Sequence, residues 1–345
     1  VKTHLNTLFI TLEGTYLHQD GQTVTVKHEG AVKLRVPLHN LEGIVTLAWD
    51  TTISAALMHA CAQAGVALSF CNPHGKFLAA SSGPQSGNVL LRKAQYVAAE
   101  DPARSLAIAR CSIAAKIANT RHLVLRRRRD TPGDFAGRTV LDHALRLFDA
   151  RLRALETCES LDALRGIEGD ASHVWFSTLP QMLGPTALAK KFQGRQRRPP
   201  TDPVNALLSF LYSLLAHDCR SACEAVGLDP QMGFLHQLRP GRPSLALDLM
   251  EEFRPLFADR LALAMLNRQQ LNERDFQTEE SGAVLLREDS RKKVLVAWQE
   301  RKQEVVTHPL LEEKVSFGLL PHLQARLLAR HLRGDLDLYP AYITR

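Results

Sequence analysis

The sequence predicts an α+β protein, with a small N-terminal β domain followed by a larger all-α domain. Three observations predict it. The first eighty residues carry short runs of β-branched residues between turn signals. A segment of serine, glycine and proline follows, Ser81 to Gly87. Beyond it, apolar residues recur three and four apart, the period of an amphipathic helix. The expected division is therefore 1–80 as the β domain, 81–88 as linker and 89–345 as the helical domain.

Within 1–80, Thr7–Leu12, Gln22–His28, Ala31–Pro37 and Gly43–Leu47 read as strands, with turns at Asp20-Gly21 and Glu29-Gly30. Asp50-Thr51-Thr52 reads as a helix start, because short side-chain oxygens accept from the free amides of a first turn. The helix would cover Ile53–Ala64 and end at Gly65. Val66–Phe70 and Gly75–Leu78 complete the strands. After the linker, helices are expected over Val89–Ala99, Pro102–Leu125, Thr139–Thr157 and Leu161–Thr178. Gly184–Pro203 reads as a loop. Pro203–Val226 reads as a strong helix, capped by Asp202 and stopped by Gly227. Ser244–Leu266, Asn272 onward, Asp289–Lys302 and Leu319–Leu332 read as further helix.

At 345 residues with 45% hydrophobic content, the chain has room for two cores and is not disordered by composition. It holds no run of eighteen apolar residues, which argues against a membrane span. Its start alternates like a strand and lacks the layout of a signal peptide, so a cytoplasmic protein is expected. The first residue is Val1 rather than methionine, which suggests a trimmed or partial start. The cysteines Cys61, Cys71, Cys111, Cys158, Cys219 and Cys223 form no Cys-x-x-Cys pair and read as buried free thiols.

The net charge is +7, and its placement is informative. From Ala171 to Thr201 there is no acid, yet Lys190, Lys191, Arg195, Arg197 and Arg198 all occur. Arg126–Arg129 form a second basic block; Arg326, Arg330, His331 and Arg333 form a third. Together they favour contact with phosphate over a merely solvated surface.

The candidate chemistry lies in the stretch Arg239–Phe257. Asp248 and Glu251 stand three apart, so their carboxylates share one helix face, and Arg254 extends it. His236 precedes Asp248 by twelve residues across the turn Pro240-Gly241. An imidazole with one or two carboxylates suits a hard or borderline divalent ion, Mg²⁺ or Mn²⁺. Acids in a first helical turn are equally explained by the helix dipole. Glu168 is the candidate from elsewhere in the chain, flanked by Gly166 and Gly169 inside a helical stretch. Glycine there costs about 1 kcal/mol against alanine. Either close approach of backbone to a ligand or tight helix packing would account for it.

Several separate motifs run in a fixed order. They are Arg165-Gly-Ile-Glu168-Gly169, Asp202-Pro-Val-Asn205-Ala-Leu-Leu208, Gly227-Leu-Asp-Pro230, Gly233-Phe-Leu-His236, Ser244-Leu245 and Asp248-Leu-Met-Glu251-Glu-Phe-Arg254-Pro255. In this order they resemble the CRISPR-associated integrase family of spacer acquisition, often spoken of as Cas one. The N-terminal sequence looks most like versions from type I systems, subtype C.

The resemblance implies a divalent-metal-dependent DNA endonuclease and integrase. It implies that Glu168, His236 and Glu251 hold the ion, with Asp248 as a ligand or as a partner of one. It also implies a homodimer made by the β domain and a small second Cas protein bridging two dimers. The DNA would be a pre-spacer and the CRISPR repeat, joined by attack of a 3′-hydroxyl on a phosphodiester. Lys190, Lys191, Arg195, Arg197, Arg198 and Arg242 would face DNA, and Arg254 would contact the phosphate or serve a helix-dipole or salt-bridge role. Tyr212 would stack on it or pack in the core. Asn205 would orient a ligand or fill a hydrogen-bonding gap.

Rival readings are a DNA-binding scaffold without chemistry, a basic transcription regulator and a repair nuclease. The first gives no reason for all three ligand positions to be filled. The second wants a helix-turn-helix with an Arg/Lys-rich recognition helix, which no helical pair here carries. The third would cleave branched DNA without a second protein.

Overall fold

The computed structural model describes residues 6–73, 77–81, 89–133, 135–184, 186–196 and 199–344. In chain order the first elements are β1 (Asn6–Ile10), β2 (Thr15–Asp20), β3 (Thr23–His28), β4 (Ala31–Pro37), β5 (Leu41–Leu47), β6 (Thr51–Ile53), α1 (Ala55–Ala64), β7 (Ala67–Cys71) and β8 (Phe77–Ser81). They form two four-stranded sheets, in the orders β1-β5-β7-β8 and β4-β3-β2-β6. The Glu29-Gly30 turn closes the β3–β4 hairpin with both residues at positive φ, 51° and 75°, the twist that suits a two-residue hairpin loop. Leu17, Val24 and Val26 of one sheet, Ile10, Ile44 and Leu68 of the other, and Leu57 and Cys61 of α1 share a single core.

The helix expected to start at Asp50 starts later. Thr51–Ile53 instead pairs with β2 as a parallel strand. Ser54 caps α1 by accepting from the Leu57 amide at 3.2 Å. The β-branched Thr-Thr-Ile run favours a strand where a partner is at hand. Gly65 ends the helix in the left-handed region, as expected.

The helical part follows as α2 (Val89–Glu100), α3 (Pro102–Asp130), α4 (Arg138–Glu156), α5 (Leu161–Met182), α6 (Ala187–Lys191) and α7 (Pro203–Val226). After these come α8 (Ser244–Met250), α9 (Arg260–Asn267), β9 (Phe276–Thr278), β10 (Val284–Leu286), α10 (Glu288–Gln303), β11 (Val305–Thr307), β12 (Lys314–Ser316) and α11 (Leu320–Leu332). The α+β class expected from the sequence stands. The two short hairpins, β9–β10 and β11–β12, replace expected helix or coil, since strands of three residues carry no readable alternation. Asp202 caps α7 and Gly227 ends it at φ 91°, both as expected.

By contact the chain groups into two units. One is Val1–Gly87 with Arg291–Val305 and Ser316–Leu319; the other is Asn88–Ser290 with Val306–Val315 and Leu320–Arg345. Pairings over more than two hundred residues account for the first added segment: Gln299 and Lys302 both hydrogen-bond to Thr7 at 3.3 Å, and Arg291 to the Pro73 carbonyl. The sequence reading, limited to local pattern, assigned 291–305 and 316–319 to the helical domain. No helix among the described residues is long and apolar enough to cross a membrane. All six cysteines are free thiols, and five are buried.

The expected helix Ser244–Leu266 is interrupted. After α8 the chain turns at residues 251–253 and forms a wide π-helical turn over Arg254–Asp259 before α9. Pro255 is the physical cause: it has no amide to donate to the carbonyl of Glu251, and its ring crowds that carbonyl.

Candidate active site and nucleic-acid interface

Every side chain of this site belongs to the second unit. Asp248 is 4% exposed and spends both oxygens locally. Its Oδ2 accepts from the backbone amides of Phe234 (2.6 Å) and Leu235 (2.9 Å). Its Oδ1 accepts from the amide of His236 (3.0 Å) and meets that ring's Nδ1 at 2.6 Å. One carboxylate thus fixes the loop 234–236 and the orientation of the imidazole, leaving Nε2 to face Glu251 Oε1 at 4.0 Å. Gly233 permits this packing. A Cβ there would stand 2.7 Å from Asp248 Oδ2 and 2.7 Å from the Ser244 carbonyl carbon.

Two further side chains hold the loop. Gln95 of α2 donates to the carbonyls of Asp229 and Met232, each at 2.8 Å. Arg165 of α5 donates to the Leu235 carbonyl at 2.9 Å. Since Arg165 lies one turn before Glu168, it ties the glutamate's helix to the histidine's loop.

Glu251 is 2% exposed, at the end of α8. Burial by itself would raise its pKa, but Arg254, Lys116 and His236 outweigh burial and hold the carboxyl down at about 2. The Arg254 guanidinium reaches its Oε1 at 3.2 Å, and the Lys116 ammonium reaches its Oε2 at 2.7 Å. The same ammonium bonds Glu168 and lies 3.1 Å from Ser172 Oγ. Burial raises the Glu168 carboxyl and Lys116 opposes it; the outcome is a pKa below the ordinary value. Glu168 also accepts from Ser172 at 2.8 Å.

The sequence reading brought Glu168, His236, Asp248 and Glu251 forward, and the structure gathers them. It missed Lys116. The available signal was a lysine set in the apolar stripe Ile113, Ile117, Thr120 of a long helix. Nor are Gly166 and Gly169 explained by tight packing: a Cβ at either would meet nothing within 4 Å, so the face of α5 beside Glu168 is open.

In their chemistry, an oriented imidazole nitrogen and two carboxylates held ionised suit a divalent cation such as Mg²⁺ or Mn²⁺. As they stand, the Lys116 ammonium occupies the space between the acids. Among the described residues no three His, Cys, Asp or Glu side chains are grouped closely enough to hold a metal ion.

Next to the acids, the Tyr212 hydroxyl donates to Asp259, and the guanidinium groups of Arg254 and Arg195 lie over its ring, 5.0 and 5.4 Å from the centroid. In this arrangement the ring is a platform for two arginines rather than an open surface for a base. Asp259 is buried, which raises its carboxyl to about 6 against the hydrogen bond from Tyr212 and the nearby cations.

Asn205 acts on the basic loop. It donates to the Gly194 carbonyl (2.7 Å) and accepts from Arg195 (2.7 Å) and the Gln196 amide (3.0 Å). Lys190 and Lys191 lie on α6, with Lys191 paired to Glu273 at 2.7 Å. Arg242 lies half-buried in the turn before α8. Arg197 and Arg198 fall outside the described residues. The block Arg126–Arg129 is largely engaged within the protein: Arg128 pairs with Asp142, Arg126 and Arg129 with Asp130, and Arg127 bonds the Gln181 carbonyl.

Fold and site together define a class: an α+β chain whose helical unit brings together two carboxylates, their counter-cations and a carboxylate-anchored imidazole beside a basic loop. The chain belongs to the family described as CRISPR associated protein Cas1, whose model matches residues 8–300. It is 50% identical to CRISPR-associated endonuclease Cas1 2 of Rhodospirillum rubrum, over 99% of each chain. It is 46% identical to CRISPR-associated endonuclease Cas1 1 of Chlorobaculum tepidum, over 100% of each. A solved casposase bound to integration product shares the fold, with a TM-score of 0.83 at 22% identity, over 97% of this chain and 93% of that one.

Proposed function

We propose that this chain is a divalent-metal-dependent DNA endonuclease and integrase that inserts pre-spacer DNA into a CRISPR array. Membership of the Cas1 family and relatives named as endonucleases support the activity. The observation that carries the site is the anchoring of His236 by Asp248 at 2.6 Å, with Nε2 directed toward Glu251 beside Glu168. Glu168, His236 and Glu251 would hold Mg²⁺ or Mn²⁺. Asp248 is the positioning residue for His236, because both its oxygens are already engaged. When bound there, the ion would supply charge neutralisation on the phosphodiester under attack by a 3′-hydroxyl.

Arg254, paired with Glu251 at 3.2 Å, would meet a phosphate oxygen. Lys190, Lys191, Arg195, Arg197, Arg198 and Arg242 supply a basic track for the DNA backbone. Tyr212 contributes through the two arginines that it supports. The open face of α5 at Gly166 and Gly169 lets DNA come close to Glu168. The N-terminal unit carries an edge strand, β4, with Val32 and Leu34 exposed, which suits the dimer interface of this reading. A small second Cas protein bridging two such dimers completes the assembly, which acts in the cytoplasm.

The test is strand transfer in vitro. The protein and its small partner are mixed with a 3′-ended labelled pre-spacer and a plasmid carrying the repeat, in Mn²⁺ or EDTA, using wild type and His236→Ala. The expected result is label entering the plasmid only with metal and intact His236, while gel shifts show that both proteins bind DNA. Transfer that survives loss of His236 would place the chemistry elsewhere.

A further inference from the structure

Lys116 is 7% exposed and set deep in an apolar helix face, yet it ends in a charge. A buried ammonium needs partners to offset its lost hydration. It has them in Glu168, Glu251 and Ser172. These two acids are the carboxylates that the metal-site reading assigns to the cation, so a lysine and a divalent ion would answer to the same pair. Lys116 also lines a small cavity of about 20 Å³, together with Thr120, Ser172, Trp175, Tyr212, Arg254 and Asp259. Asp259 is 2% exposed and gives that cavity a carboxylate of its own.

We propose that Lys116 is a resident counter-cation, which holds Glu168 and Glu251 together without metal and moves toward Asp259 when a divalent cation arrives. This rests on the metal-site reading given above. The exchange adds two positive charges to a cluster of three carboxylates. The incoming 2+ ion replaces one ammonium between two carboxylates, and the displaced ammonium meets a third. The lysine stem is flexible and the cavity adjoins its present position, so the side chain alone would make this move. Metal loading is thereby coupled to one side chain's position, and a chain without metal keeps its two acids from repelling one another.

The test is Mn²⁺ affinity, measured by calorimetry on the full-length chain at fixed pH and ionic strength. Lys116→Met removes the competitor and is expected to bind Mn²⁺ roughly tenfold more tightly or better, given the strength of an ion pair at this depth. Asp259→Asn removes the second position and is expected to bind more weakly than wild type. Equal or weaker binding by Lys116→Met overturns the proposal, and unchanged binding by Asp259→Asn overturns the second position. His236→Ala separates the two readings. If it abolishes Mn²⁺ binding while Lys116→Met changes nothing, the metal site stands and the counter-cation fails; if no form binds Mn²⁺, both fail. Should Lys116→Met unfold, a crystal structure of the wild type with Mn²⁺ decides. Lys116 Nζ on Asp259 supports the exchange; Nζ still between Glu168 and Glu251 with the ion bound refutes it.

Discussion

Replacing Asp248 by asparagine tests the anchoring of His236 most directly. The carboxylate accepts from three backbone amides and meets the imidazole Nδ1, at 2.6 to 3.0 Å. A side-chain amide has one accepting oxygen, so in Asp248→Asn the NH₂ group strands either the Phe234 and Leu235 amides or the His236 amide, and in the second case it meets the ring only if Nδ1 is unprotonated. A hydrogen bond to a charged group contributes about 1.5–3 kcal/mol, and stranding buried partners costs the upper end of such sums. Asp248→Asn is therefore expected to lower unfolding stability by roughly 3–5 kcal/mol. It also frees the ring to rotate or change tautomer, so Mn²⁺ affinity should fall about 10- to 100-fold. Urea denaturation gives the first quantity and calorimetric titration with Mn²⁺ the second. A variant as stable as wild type, with Mn²⁺ affinity intact, would refute the claim that Asp248 orients His236.

Other tests follow from the same geometry. Gly233→Ala drives a methyl group to 2.7 Å from Asp248 Oδ2 and from the Ser244 carbonyl carbon, so it should cost about 1–3 kcal/mol or more and reduce Mn²⁺ binding with it. Burial raises the Glu252 carboxyl from 4.5 to about 7, against hydrogen bonds from Tyr339, Tyr342, Gln324 and Ser112. Its stabilising contribution is full below pH 4.5 and is lost as pH rises through 7, a change of roughly 3 kcal/mol. Glu252→Gln cannot ionise, so a plot of unfolding free energy against pH should flatten by that amount in this window; an unchanged slope would remove Glu252 as the cause. Lys190→Ala should weaken DNA binding alike for all sequences and reduce the slope of log affinity against log salt by about 1, as measured by fluorescence anisotropy.

The periodicity of the chain by itself determined most of the helical part. Helix α7 runs from its Asp202 cap to its Gly227 stop because both signals act through the local backbone. The hairpin turn at Glu29-Gly30 is local in the same way. The motifs, through the family that they resemble, pointed to Glu168, His236, Asp248 and Glu251 as one set.

Other features needed tertiary structure. Thr51–Ile53 became a strand because β2 lay beside it, and Arg291–Val305 joined the N-terminal unit through pairings no local window contains. Whether Asp248 is a ligand or an anchor depended on where the amides of 234–236 point. That Lys116, fifty-two residues before Glu168, should hold the two acids together follows only when α3 and α5 pack. The helical period carries the burial of Lys116 but not its partners, because ion pairs act within a few ångströms and exist only once the chain has folded.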